Sequence, residues 1–238
     1  MSLIVRLDEW LALCANYAAG RSPLLDKVVF DLSDSTLFKG GLFLAFYWWL
    51  WFQPGERRDD TRRTVVAAVI GGTIASVISR LLQIGLPFHR RPLHTPHLDV
   101  HVPLSIDPET LNAWSSFPSD HAVLFFALCV PIWMRSRLLG LLAGLWTLLF
   151  ICLPRVYLGY HYPSDILAGA VIGILMMLAF CAILARTALP DRIVRLEARR
   201  PGIFYAVAFV LTLELALLFY DLRHFGLDAV RLGQMVIG

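Results

Sequence analysis

The chain has 238 residues, of which 58% are hydrophobic and 16% are charged, and its formal net charge at pH 7 is +3. The mean hydropathy of +0.65 and the long apolar runs exclude an ordinary soluble domain and indicate helices that cross a membrane. The small and scattered positive charge gives no basis for binding nucleic acid.

Taken in order, the chain predicts an all-α, polytopic membrane protein that forms one domain with six transmembrane helices. The N-terminal residues up to about 35 mix apolar and charged positions, which predicts an amphipathic helix lying on the membrane surface. Residues 87–117 form the only long loop, and loops of this length are usually functional. The predicted spans are about 36–52, 64–86, 118–134, 138–157, 164–187 and 202–222.

Two connecting segments carry predictions of their own. Asp107-Pro108-Glu109 has the order of a helix N-cap, a first-turn proline and a first-turn acid, which predicts a short helix through Trp114. Residues 188–201, between the fifth and sixth spans, are rich in Arg and predict a polar connection.

The number of spans decides which segments share a face of the membrane. The third span leaves the face where it begins and the fourth returns to it, so His121, His161 and the long loop are expected on one side. The turns on the opposite side hold eleven Arg, against six Lys and Arg on the site side once four site Arg are set aside. The positive-inside rule therefore places the site away from the cytoplasm.

Arg155, His161 and Asp165 lie where the fourth span ends and the fifth begins. His161 and Asp165 are four residues apart, which puts them on one face of a helix that starts here. Arg155 and Arg91 are permanent cations whose guanidinium groups match the oxygens of a phosphate. Arg80 or Arg90 adds to this positive charge.

Pro118-Ser119-Asp120-His121 is expected to begin the third span. Free backbone N–H groups and the helix dipole make such an N-terminus favourable for an anion, and Ser119 adds a hydroxyl donor. The expected anion is phosphate.

Two histidines near a phosphate suit covalent catalysis. No clustered carboxylates or Cys/His spacing point to a metal site, and no glycine-rich loop points to a nucleotide, so neither a metal nor another cofactor is expected. We expect His161 to attack phosphorus and His121 to protonate the leaving oxygen. Asp165 is expected to orient His161 and to stabilise the positive charge that the ring acquires.

These motifs resemble the type-2 phosphatidic-acid phosphatase superfamily, which also includes vanadium haloperoxidases and bacterial acid phosphatases. Its pattern is Lys, six residues and Arg-Pro; then Pro-Ser-Gly-His; then Ser-Arg, five residues, His, three residues and Asp. The resemblance covers about residues 80–170 and implies the same roles for the two His and the Asp, with phosphate binding by Arg91, Ser119 and Arg155. The matching positions are Arg91-Pro92, Pro118 to His121, Arg155, His161 and Asp165.

Three positions depart from the family pattern. Asp120 replaces the Gly of the second motif, and we count it with the phosphate-binding residues as an adjustment of substrate preference or pH response. Pro154 replaces the Ser before Arg155. Ile84 stands where the first-motif Lys belongs, and Arg80 is the expected substitute.

The resemblance implies an enzyme of the bacterial cytoplasmic membrane that hydrolyses a phosphomonoester or pyrophosphate of a membrane lipid. Undecaprenyl pyrophosphate, phosphatidylglycerophosphate, phosphatidate and lipid A phosphates are the substrates implied. Two alternatives remain open: a haloperoxidase-like vanadate-binding protein, and a lipid or anion transporter that uses the Arg cluster as its pathway. The expected partners are the lipid substrate and the bilayer, and the sequence carries no signal for an oligomeric state.

Overall fold

The computed structural model of the chain describes residues 3–104 and 106–219. The end of the sixth predicted span and the polar tail, from residue 220, lie outside the described residues. The described part is helical and has no strand. Its α-helices are α1 (Leu3–Asn16), α2 (Pro23–Asp34), α3 (Leu42–Trp51), α4 (Arg58–Gly85), α5 (Asp120–Arg135), α6 (Arg137–Trp146), α7 (Leu153–Tyr157), α8 (Pro163–Leu184), α9 (Leu189–Arg199) and α10 (Pro201–Ala216).

Three helical stretches of the described part have the length and composition to cross a membrane: Arg58–Gly85, Arg137–Tyr157 and Pro163–Leu184. They coincide with the second, fourth and fifth predicted spans. The stretch from 137 to 157 joins α6 to α7 through a π-helical turn at Thr147–Cys152. The first, third and sixth predicted spans correspond to shorter helices, so the multi-pass, all-helical architecture is established and the number of six spans stays a prediction.

The predicted amphipathic N-terminus is helical, but its acidic residues do not face water. α1 exposes Leu3 and Ile4, whose exposed fractions are 82% and 76%, while Asp8 turns toward the start of α8. There the Asp8 carboxylate accepts hydrogen bonds from the backbone N–H of Ser164 at 2.9 Å and from its hydroxyl at 2.5 Å. α1 therefore contacts the site side of the protein, and its position on a membrane surface stays a prediction.

Two connecting segments have a backbone conformation that the sequence-based predictions did not give. Residues 107–114 form turns and bends instead of a short helix, and Leu111 adopts a left-handed backbone conformation with φ of 64° that a right-handed helix cannot contain. Residues 188–201, predicted to be a polar connection, contain α9, a strongly amphipathic helix that carries the charged residues.

α5 lies at the centre of the fold and packs against α4, α6 and α8. Val123, Leu124 and Phe125 of this helix have no exposed surface. A helix covered by neighbours on all sides carries apolar residues around its whole circumference, which explains why this segment reads as a membrane span although it has only 16 residues.

α5 and α8 approach each other closely at two glycines. A Cβ atom added at Gly169 would lie 2.7 Å from the carbonyl oxygen of Ser119, and one added at Gly173 would overlap the carbonyl oxygen of Val123. The backbone N–H of Ser119 also donates to the carbonyl of Asp165 at 3.2 Å. These contacts set the distance between the starts of the two helices, where predicted site residues lie.

Gly173→Ala is expected to lower the free energy of unfolding by about 1–3 kcal/mol, because the new methyl group would force α5 and α8 apart. Thermal unfolding in detergent measures the effect. Gly144→Ala is the matched control, since an added Cβ there has no atom within 4 Å and alanine is the better helix former. Equal unfolding midpoints for the two variants would contradict the close-packing argument.

Candidate active site

The side chain of His161 is held in a defined orientation between α7 and α8. It is 1% exposed, and its Nδ1 lies 2.8 Å from the carbonyl oxygen of Ser116 in the long loop. Because a carbonyl only accepts hydrogen bonds, Nδ1 carries the proton and Nε2 keeps its lone pair. Burial lowers the pKa of His161 below its usual value and the Arg91 cation acts in the same direction, against the opposing effect of Asp165. The ring is therefore neutral at pH 7, as a nucleophile must be.

Asp165, in the first turn of α8, lies beside His161 without a direct hydrogen bond to it. Its Oδ2 is 3.7 Å from Nδ1 of His161 and accepts a 2.8 Å hydrogen bond from the backbone N–H of Tyr162. Two groups therefore share the predicted orienting role. The Ser116 carbonyl accepts the hydrogen bond from Nδ1–H, and the Asp165 carboxylate supplies a nearby negative charge. Asp165 is 0% exposed, so this charge acts in a poorly solvated environment.

A second histidine that the sequence analysis did not single out lies on the other side of Asp165. Nδ1 of His89 is 2.8 Å from the hydroxyl oxygen of Ser116 and 3.5 Å from Oδ1 of Asp165. The nearby Asp165 carboxylate raises the pKa of His89. No motif marks His89, and the His-rich composition of the long loop was the only signal for it.

His121 and Asp120 form a contacting pair at the start of α5. Oδ1 of Asp120 lies 2.8 Å from Nδ1 of His121, so the carboxylate accepts a hydrogen bond from that nitrogen. Nε2 is then the ring nitrogen that can exchange a proton with a substrate. Asp120 also interacts electrostatically with Arg155 and His161, which places the two sequence motifs in one site. Asp120 was counted with the phosphate-binding residues, but its carboxylate is engaged by His121.

Ser119 is the N-cap of α5 and is completely buried. Its hydroxyl oxygen accepts from the backbone N–H of Ala122 at 3.5 Å, a long cap contact. The hydroxyl proton remains available, so Ser119 can still donate to an anion at the helix N-terminus.

Arg91 connects three segments of the site. Its Nε donates to the carbonyl of Trp114 at 3.1 Å, its Nη1 to that of Tyr160 at 2.7 Å, and its Nη2 to that of Ser115 at 3.1 Å. Nη1 also lies 3.4 Å from Nε2 of His161. Burial lowers the pKa of Arg91 to about 10, so the guanidinium stays charged at pH 7. Three of its five N–H groups bind carbonyls, which leaves donors for a phosphate.

Arg91→Lys is expected to lower the free energy of unfolding by about 2–4 kcal/mol, because one ammonium group cannot reach the three carbonyls that the planar guanidinium joins. Thermal or denaturant unfolding in detergent measures this loss. The neighbouring Arg90 is exposed, and Arg90→Lys is the control that should leave stability unchanged. A similar small effect for both variants would show that the three carbonyl contacts contribute little.

Arg155 lies on α7 and is only partly engaged by the protein. Its Nη1 donates to the Ser33 hydroxyl at 3.2 Å, and its guanidinium carbon is 5.7 Å from the centre of the Tyr160 ring. The buried Nε has no hydrogen-bond partner among the described residues. This donor arrangement leaves Arg155 available for an anion.

Arg80 lies at the edge of the site on α4. Its guanidinium stacks on the Trp114 ring at 3.9 Å and donates to Gln83 at 2.6 Å. Arg80 and Asp120 line a common cavity of about 210 Å³. A second cavity of about 250 Å³, between α3, α4, α9 and α10, is apolar and contains none of the predicted site residues.

The site offers cations, hydroxyls and helix N-termini but no metal-binding cluster. Among residues 3–104 and 106–219, no three His, Cys, Asp or Glu side chains are grouped so that they could hold a metal ion. The arrangement combines the neutral His161, whose Nε2 is unprotonated, with the contacting pair of His121 and Asp120. The guanidinium groups of Arg91 and Arg155 complete it. This set can bind a phosphate, attack it and protonate a leaving group.

Comparison with known proteins gives a consistent family assignment. The profile of the PAP2 superfamily matches residues 88–189, a range that contains every predicted site residue except Arg80. The chain is 30% identical over 158 residues to the bacitracin transport permease protein BcrC of Bacillus licheniformis, an alignment that covers 65% of this chain and 70% of that relative.

Two further comparisons concern an enzyme and a solved structure. The chain is 27% identical over 165 residues to the undecaprenyl-diphosphatase BcrC of Bacillus subtilis (strain 168), covering 67% of this chain and 75% of the relative. The crystal structure of LpxE from Aquifex aeolicus matches with a TM-score of 0.50 and 22% identity, covering 72% of this chain and 93% of LpxE. At this identity the structural likeness concerns the fold alone.

Proposed function

The chain belongs to the PAP2 superfamily, and from this premise we propose that it cleaves phosphate from a membrane lipid through a phosphohistidine on His161. The family membership confirms the resemblance drawn from the motifs, and the protein is a multi-pass membrane phosphatase of a family that needs no metal ion. The observation that carries the proposed mechanism is the unprotonated Nε2 of the buried, neutral His161, which lies 3.4 Å from Nη1 of Arg91.

In the first half-reaction, the lone pair of His161 Nε2 forms a bond to phosphorus while the bond from phosphorus to the lipid oxygen breaks. Protonated His121 gives its Nε2 proton to that leaving oxygen, and Asp120 stabilises the protonated ring through the contact at Nδ1. Arg91, Arg155 and the Ser119 hydroxyl are proposed to hold the phosphate oxygens. The products are a phosphohistidine and the lipid alcohol when the substrate is a phosphomonoester, or the lipid monophosphate when it is a pyrophosphate.

In the second half-reaction, the now neutral His121 accepts a proton from water. The resulting hydroxide attacks the phosphohistidine, the bond between nitrogen and phosphorus breaks, and inorganic phosphate leaves. The electron pair returns to Nε2 of His161, and both histidines regain their starting protonation states. Asp165 and the Ser116 carbonyl keep the His161 ring in one orientation throughout.

The apolar outer surface of the helices supports a substrate whose chains stay in the bilayer. Leu167, Val171 and Leu175 of α8 are exposed on the protein surface and suit contact with lipid. A pyrophosphate of a polyprenyl lipid is the first substrate to test, because one similar protein is an undecaprenyl-diphosphatase. The excess of Arg on the opposite side supports a site on the outer face of the bacterial cytoplasmic membrane.

A transporter is the second candidate function, because one relative bears the name of a transport permease. A transport pathway does not require a neutral His161 beside the buried Asp165 carboxylate. Detergent solution distinguishes the two, since a protein without two compartments cannot transport but can still hydrolyse its substrate.

The test is phosphate release by purified protein in detergent from undecaprenyl pyrophosphate, phosphatidylglycerophosphate, phosphatidate and lipid A phosphates. We expect release from at least one of them, unaffected by EDTA and inhibited by orthovanadate, which mimics pentacoordinate phosphorus. Peroxide-dependent halogenation without phosphate release would establish the haloperoxidase alternative. Absence of release from the whole panel would refute the proposed function.

A further inference from the structure

The first-motif position of the family carries no cation in this chain. Ile84 occupies it, and its side chain is 68% exposed on α4, directed away from the protein interior. An apolar residue in that orientation cannot contribute to the phosphate site. Arg80, four residues earlier on α4, lies at the edge of the site, and Lys39 is a further cation that another segment supplies.

Lys39 is a buried lysine whose ammonium group is in no ion pair with residues 3–104 or 106–219. It lies in the π-helical turn Leu37–Gly41 that precedes α3, and it is 8% exposed. Within the described part of the chain, no ion pair or hydrogen bond engages its ammonium group. A largely desolvated ammonium group without a hydrogen-bond partner is unfavourable, and an anion that reaches its remaining exposed surface would stabilise it.

The charges around Lys39 belong to the active site. Arg155 is its strongest charged neighbour, followed by Asp34 and Asp120, and Lys39 also acts electrostatically on His121. Asp120 already accepts a hydrogen bond from His121. The cations Lys39 and Arg155 thus lie near each other, and Arg155 has a buried, unpartnered Nε. The carboxylates of Asp34 and Asp120 offset part of the repulsion between these two cations, and a bound phosphate would offset more of it.

The backbone around Lys39 is fixed on both sides. The indole N–H of Trp146 donates to the carbonyl of Phe38 at 3.0 Å, and Gly40 packs so closely on Ala216 that an added Cβ would overlap it. Ser33, six residues earlier, accepts the hydrogen bond from Arg155 at 3.2 Å. The segment from α2 to α3 is therefore held in place, contacts Arg155 through Ser33, and brings Lys39 into electrostatic range of Arg155.

We propose that Lys39 is a phosphate-binding residue of this active site and that, with Arg155, it binds the phosphate group of the lipid substrate. The proposal rests on the proposed function. In this chain Lys39, in the segment before α3, would supply the positive charge that the family's first motif supplies with a Lys seven residues before Arg91. Lys39 lies outside the range matched by the family profile, which begins at residue 88.

The test compares Lys39→Gln, Lys39→Met and Lys39→Arg with the wild type. Lys27, the other lysine of the chain, is exposed and pairs with Asp31, so Lys27→Gln is the matched control. We measure kcat and KM for lipid phosphate hydrolysis, the inhibition constant of orthovanadate, and the increase in unfolding temperature that inorganic phosphate or orthovanadate produces.

Lys39→Gln and Lys39→Met are expected to lower kcat/KM by about 10²-fold and to weaken orthovanadate binding by a similar factor, because one preorganised donor to the phosphate is lost. Lys39→Arg should recover much of the loss. Without ligand, the Gln and Met variants should unfold at or above the wild-type temperature, since an unpaired buried charge is removed. A merely structural lysine would give the opposite change in stability.

Unchanged kcat/KM and orthovanadate inhibition in both neutral variants would overturn the proposal. A wild type that hydrolyses no lipid phosphate would refute the proposed function instead. In that event the anion site is still tested by binding: the phosphate-dependent rise in unfolding temperature must be present in the wild type and in Lys27→Gln. It must also be lost in Lys39→Met, and its persistence there would exclude Lys39 from the site.

Discussion

Replacing His161 with alanine is expected to reduce phosphate release by about 10⁴-fold or more, because the nucleophile that forms the covalent intermediate is removed. The buried position of the ring and its neutral state leave Nε2 as the attacking atom. Initial rates of phosphate release in detergent measure the loss.

His97→Ala is the matched control for this experiment. The His97 side chain is 61% exposed and its Nε2 lies 2.9 Å from Glu9, so it is a histidine of the same loop region with no predicted catalytic role. The control should keep nearly full activity. A His161→Ala protein that retains a substantial part of the wild-type rate would rule out the phosphohistidine mechanism.

The intermediate can be sought directly. Rapid quenching of the wild-type enzyme with a lipid labelled in its phosphate should trap a phosphoprotein that is stable in alkali and labile in acid, as expected of phosphohistidine. The label should be missing from His161→Ala and present in His97→Ala. Label that survives in His161→Ala would place the covalent bond on another residue.

Replacing His121 with alanine is expected to reduce hydrolysis of a lipid phosphate by about 10²–10⁴-fold, the usual contribution of a general acid or base. The alkoxide released from a lipid phosphomonoester is a poor leaving group and requires the proton that His121 supplies, so this substrate is the one to measure. The contact with Asp120 at 2.8 Å fixes Nδ1, so that Nε2 is the atom that delivers this proton. The measurement is kcat for the lipid substrate.

A substrate with a good leaving group separates the two roles of His121. The phenolate of p-nitrophenyl phosphate departs without protonation, so His121→Ala should still form the phosphohistidine from it. Its hydrolysis should then stall, because no base activates water, and the release of p-nitrophenol should show a burst of about one equivalent followed by a slow phase. Equal losses on both substrates, without a burst, would contradict the assignment of His121 as general acid and base.

Much of the site could be predicted because its motifs are local. A proline followed by Ser119, Asp120 and His121 starts a helix, and the four-residue interval between His161 and Asp165 fits one helical face. Apolar runs identified three helical stretches that can cross a membrane, and the predicted count of six spans puts both histidines on one face. Short-range geometry and the length of apolar runs are properties that the sequence carries directly.

Other features were not accessible because backbone atoms or distant segments provide them. The carbonyl of Ser116 holds His161, and carbonyl groups occur at every residue, so no residue type marks this contact. The Arg91 side chain was expected to bind phosphate, and its additional role in joining three loop carbonyls depends on the path of the loop.

The sequence by itself determined that this is an all-helical membrane phosphatase, with His161, His121 and Asp165 as its expected catalytic groups, because spacing and hydropathy encode helices and their ends. Only the tertiary structure decided that Asp120 pairs with His121 and that Lys39 lies beside Arg155. Such contacts depend on how helices far apart in the sequence pack, and the close approach of α5 and α8 at two glycines is one packing contact that brings the separate motifs together.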